Sequence, residues 1–135
     1  SNIEGAAKFS VLTPLGYHSA GGKISTKGNL NVSKNKIDNF KLDKKVTGIK
    51  IDTEGHEFEV LEGAKNYIKK DMPDIILEIN KNCFDQCLAF LLPIGYNAYY
   101  VDEKNNKIER INRFTDNLIQ QEGTNCYLSV KSRKL

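Results

Sequence analysis

The spacing of hydrophobic positions changes near residue 46 and divides the chain into two differently patterned parts. After Val46, Gly48-Ile49-Lys50-Ile51-Asp52 is a short β-branched run that stops at a carboxylate. Phe58, Val60, Leu61, Ala64, Tyr67 and Ile68 then recur at near-helical spacing, which predicts one amphipathic helix ending at Lys69, Lys70 and Pro73. Asp74-Ile75-Ile76-Leu77-Glu78-Ile79 is almost continuously apolar, so it reads as a strand buried on both faces. A second helix is expected from Cys83 to Leu92, closed by Pro93 and Gly95. Strands follow at Ala98–Val101 and, after an Asp102–Asn106 turn, at Lys107–Ile111, with a last one at Asn125–Val130. Alternating strand and helix predicts an α/β core with a mostly parallel sheet and crossover helices.

Residues 1–45 are polar and turn-rich by comparison. Ala6–Leu12 alternates as a strand does, and Thr13-Pro14-Leu15-Gly16 reads as a turn. Ile24, Leu30 and Val32 stand isolated among lysines, asparagines and glycines, as in a hairpin or loop, and a further strand is expected near Ile37–Leu42. The expected organisation is a single domain, with a hairpin and loop region over 1–45 and an α/β core over 46–135.

The chain has 135 residues, enough for one core and too few for two. With 39% hydrophobic and 27% charged residues it is neither low-complexity nor disordered in character. A net charge of +3, from 20 basic and 17 acidic side chains, gives no basic stripe for nucleic acid. No apolar run approaches the ~20 residues of a bilayer span. The first residues do not read as a secretory signal, and three cysteines leave one unpaired, which together lead to the expectation of reduced thiols in a cytoplasmic protein.

The chemistry concentrates in Lys50-Ile51-Asp52-Thr53-Glu54-Gly55-His56-Glu57, between the first core strand and its helix. In parallel sheets ligands bind beyond the carboxyl ends of the strands, and Asp52 and Glu78 end the first two core strands there. Asp52 and Glu54 can orient a hydroxyl, a ribose or a hard cation, and His56 can act as a base near neutral pH. Nothing in the cluster calls for a metal, and Val60 stands where a zinc-protease pattern needs its second histidine. A plainer reading is open too, with Thr53 or Glu54 capping the helix, Glu57 favourably placed in its first turn and His56 solvated. Tyr17-His18-Ser19-Ala20-Gly21-Gly22 reads either as an acceptor-binding loop or as an ordinary surface connection.

The stretch from Leu42-Asp43 through Ile49-Lys50-Ile51-Asp52-Thr53-Glu54-Gly55-His56-Glu57, Val60-Leu61-Glu62-Gly63-Ala64 and Pro73-Asp74-Ile75-Ile76-Leu77-Glu78-Ile79 resembles the FkbM-type methyltransferase family. Ser1-Asn2, Glu4-Gly5, Phe9 and Val11 are similar to the segment that precedes that stretch in the family. The resemblance implies the C-terminal part of a Rossmann-like class I methyltransferase fold with an N-terminal β-hairpin, using S-adenosylmethionine to methylate a hydroxyl of a sugar or small metabolite. It implies catalytic roles for Asp52, His56 and Glu54, and places Glu57 and Glu78 on the acceptor side, where His18 joins them only on the acceptor-loop reading of Tyr17–Gly22. It also implies a glycine-rich loop after a first strand to hold the cofactor, and this sequence has no such unit, since Gly21-Gly22 introduces no helix. Weak or absent cofactor binding by this chain alone is therefore expected, with a truncated enzyme, a split enzyme or a short homologue as possible sources. A non-catalytic binding module built on a methyltransferase core is the alternative. The first core strand is expected to present an open edge that pairs with a second copy or is covered by the N-terminal hairpin.

Overall fold

The computed structural model describes residues 1–11, 22–24, 26–79, 81–102, 104–113 and 124–131. Strands β1 (Gly5–Val11), β2 (Gly22–Ile24) and β3 (Leu30–Lys34) form an antiparallel sheet in the order β2-β1-β3. The register sets Phe9 opposite both Ile24 and Leu30, and Ala7 opposite Val32. Side chains of paired residues share a face of the sheet, so these apolar residues lie on one side, away from Lys8 and Asn31. The strand expected near Ile37–Leu42 is instead a 3₁₀ turn, Ile37–Asn39.

The second sheet contains β4 (Gly48–Ile51), β5 (Asp74–Glu78), β6 (Asn97–Asp102), β7 (Lys107–Ile111) and β8 (Asn125–Ser129), in the order β4-β5-β8-β6-β7. Of its strand pairs among the described residues only β4–β5 is parallel; the others are antiparallel, so the expectation of a mostly parallel sheet is corrected to a mixed one. The last strand, β8, inserts between β5 and β6 and runs against both, which leaves β4, β5 and β6 pointing the same way.

Helices α1 (Glu57–Gly63) and α2 (Lys65–Asp71) make the crossover from β4 to β5, and α3 (Phe84–Leu91) follows β5. The single helix expected over this crossover is broken at Ala64, whose φ of −111° and ψ of 10° leave helical geometry. Leu61, Ala64 and Ile68 nevertheless keep one buried line across the break. They pack with Ile51, Ile75, Leu77, Phe84, Leu88, Leu91 and Leu128 into the core. Met72, in the left-handed region at φ 50°, ends α2, and Pro73 follows it. Ile75 and Leu77 are fully buried under the helices, while Ile76 between them is 43% exposed. β5 is therefore buried on its helix face and partly open at Ile76 on the other, which corrects the reading of it as buried on both.

Candidate functional site

The parallel pairing of Gly48–Ile51 with Asp74–Leu77 brings the carboxyl ends of β4 and β5 side by side. Asp52 follows directly on β4 and Glu78 is the last residue of β5, so the two carboxyl groups are electrostatic neighbours at one sheet edge. Burial pushes the Glu78 carboxyl above its ordinary range, and neighbouring Asp52, then the charges of Glu54 and Glu57, push it further the same way. Asp52 is also 3.4 Å from the Lys50 ammonium, both side chains being well exposed, so that ion pair contributes little. Asp102 ends β6 on this edge too, but its carboxylate is engaged by Asn105, whose backbone and side-chain nitrogens donate to it over 3.0 and 2.8 Å.

The loop from Asp52 to His56 turns through two consecutive left-handed residues, Glu54 (φ 54°) and Gly55 (φ 95°). Glycine accepts this conformation freely, whereas at Glu54 it costs about 1–2 kcal/mol. The compensation comes from Glu57. Its Oε1 accepts from the Thr53 and Gly55 backbone N–H groups (3.1 and 3.0 Å) and from the Thr53 hydroxyl (3.3 Å). Its Oε2 accepts from the Cys83 thiol at 2.9 Å. Burial pushes the Glu57 carboxyl up, but the bonds from Cys83, Gly55, its own backbone N–H and Thr53 together outweigh burial and hold it below the ordinary carboxylate range. Glu57 is 1% exposed, so the structure sets it beneath the loop as a brace rather than out toward solvent with Asp52 and Glu54.

Asp52, Thr53, Glu54 and His56 line a cavity of about 600 Å³, together with Glu59 and Val60 from α1. Its opposite wall is the N-terminal segment, including Ile3, Phe9, Ile24 and Lys34. That segment is seated on α1: the Asn2 side chain donates to Glu62 over 2.8 Å, and the Ser1 carbonyl approaches Gly63 so closely that a β-carbon there would clash with it. His56 precedes α1 as its N-cap residue, and no side-chain cap bond forms there. His18 lies outside the described residues. The wall residues Phe9 and Ile24 and the brace partner Cys83 are the parts the sequence reading missed; only the one-sided apolar pattern of Ala7, Phe9, Ile24 and Val32 offered a signal.

Among the described residues no helix is long and apolar enough to cross a membrane. No curated protein and no solved structure matches the chain significantly. The family model described as the Methyltransferase FkbM domain matches residues 1–113, which is most of the chain, and the chain therefore belongs to the FkbM methyltransferase family.

Proposed function

We propose that this chain carries the acceptor side of an S-adenosylmethionine-dependent O-methyltransferase, built on the C-terminal part of a Rossmann-like fold, and that it acts on a hydroxyl of a sugar or other small molecule. The carrying observation is the pair of carboxyl groups, Asp52 and Glu78, at the shared end of two parallel strands, with Asp52 lining a ligand-sized cavity. S-adenosylmethionine supplies a methyl carbon open to attack opposite its bond to a positively charged sulfur. The negative charge of Asp52 suits that cation, and no other contact with the cofactor is assigned to this chain.

On the acceptor side, Asp52 takes the proton of the attacking hydroxyl, with His56 on the same cavity as the alternative base. Glu54 orients the acceptor from its exposed position on the loop, and Glu78, at the end of the neighbouring strand, sets the charge around Asp52. Glu57 acts one layer below, as a positioning residue that fixes the backbone between Thr53 and Gly55.

The test is transfer of labelled methyl to a panel of hydroxylated acceptors, measured in the full-length product of the gene. Asp52→Ala is expected to lower kcat by about 10²-fold or more, within the range for loss of a general base. The reading fails if Asp52→Ala and His56→Ala both transfer at the wild-type rate. A second reading, a non-catalytic binding module, is favoured by Gly22, which lies in the antiparallel strand β2 and not at a strand-to-helix turn where a phosphate- or cofactor-binding glycine loop sits. Calorimetric titration separates the two: acceptor binding without cofactor binding or methyl transfer, in the full-length product, supports the module.

A further inference from the structure

We propose that the apolar face of the N-terminal sheet, centred on the cross-strand pair Phe9 and Ile24, selects the occupant of the cavity, and that this occupant is a hydroxylated small molecule with an apolar face and no negative charge. Phe9 and Ile24 are register partners, so their side chains emerge together on one face. Both line the 600 Å³ cavity and a second, smaller one of about 400 Å³ that continues along the same sheet toward Val32. Neither belongs to the hydrophobic core, Ile24 is 43% exposed and Phe9 is half-buried, so part of their apolar surface stays open. Across the cavity stand the carboxylates of Asp52, Glu54 and Glu59, faced by the Lys34 ammonium. The volume is that of a small-molecule site. One wall rewards carbon surface and the other offers hydrogen-bond acceptors that repel an anion. A flat or chain-bearing hydroxylated molecule satisfies both walls at once, with its hydroxyls toward Asp52 and its carbon face on Phe9.

That occupant is a methyl acceptor only if the methyltransferase reading holds, whereas the chemical preference of the cavity is measured by binding alone. The experiment is an NMR titration of the 135-residue chain with glucose, hexyl β-glucoside and hexyl β-glucuronide, the alkyl probes kept below micelle formation. The hexyl glucoside is expected to bind about tenfold or more tightly than glucose, from burial of a few methylenes. It should shift the amides of Phe9, Ile24, Thr53 and Val60. The glucuronide, alike except for its carboxylate, is expected to bind about tenfold more weakly than the glucoside.

Phe9→Ala with Ile24→Ala should erase the advantage of the alkyl chain, and Phe9→Leu should retain most of it in a sheet that stays apolar. Glu54→Gln with Glu59→Gln, changes at accessible positions, should close the gap between glucoside and glucuronide. Equal binding of glucose and hexyl glucoside, or shifts confined to another surface, overturns the proposal. Alkyl preference intact in a protein that transfers no methyl group upholds the proposal and sinks the methyltransferase reading instead.

Discussion

Glu57 and Glu78 are carboxylates on neighbouring elements whose surroundings push them in opposite directions, and each direction makes a prediction about pH. Glu57 is held below its ordinary range by hydrogen bonds that outweigh burial. A carboxyl depressed on folding stabilises the protein above its unfolded value, and that stability is lost as pH falls through the folded one. Glu57→Gln is expected to cost about 1–3 kcal/mol at pH 7, the usual loss when buried donors lose a charged partner. It should also flatten the acid side of the stability curve. Urea melts at several pH values measure both, and identical curves for the two proteins would remove Glu57 as a brace. Glu78 is the reverse case, raised first by burial and then by Asp52, so ionising it opposes folding. Stability therefore falls as pH rises from the unfolded value through the folded one. Glu78→Gln is expected to raise Tm at neutral pH, with the gain vanishing below the ordinary carboxylate range. A neutral-pH Tm below wild type would show that the Asp52–Glu78 contact is net stabilising as it stands.

Helix α2 begins only one residue after α1 ends, with Ala64 between them, so it has no local side chain to cap its first turn. The cap comes from a distance. The Asp38 carboxylate, in the 3₁₀ turn, accepts from the backbone N–H groups of Asn66 (2.9 and 3.1 Å) and Tyr67 (3.2 Å). Its charge also suits the positive end of the helix. Asp38→Ala is expected to destabilise the protein by about 0.5–2 kcal/mol, as N-cap losses do, and to speed hydrogen exchange in α2 more than in α3. Exchange unchanged in α2 would refute that cap. None of this was legible in the sequence, because Asp38 and Asn66 are far apart along it and Ile37–Leu42 alternates much as a strand would. The helix break at Ala64 was equally hidden, since the Leu61, Ala64 and Ile68 period runs straight through it. What could be read was the strand-to-helix unit around Asp52 and Glu78. There the apolar runs are short, β-branched and each ended by an acid, so local pattern and tertiary role agree. The cavity wall could not be read, because Phe9 and Ile24 meet only through strand pairing.

For the whole molecule, β4 is the edge to watch. Among the described residues it pairs with β5 alone, and the N-terminal sheet, for all its proximity to α1, adds no strand to it. One exposed lysine, Lys50, is the only charge within β4, and a single charge is a modest guard against pairing with another chain. Light scattering across a concentration series is therefore expected to show particles heavier than the 15.2 kDa chain. A constant 15.2 kDa across the series would exclude association through this edge. The Cys83 thiol has a separate bearing on how the molecule moves. It is 6% exposed and bonded to Glu57, the brace of the Thr53–Gly55 backbone, and burial first, then that bond, pushes it up to about 11. A thiol so shielded reacts only when its surroundings open, so the pace of its alkylation is a built-in clock for release of the Glu57 brace, and an occupied cavity should make the clock run slow.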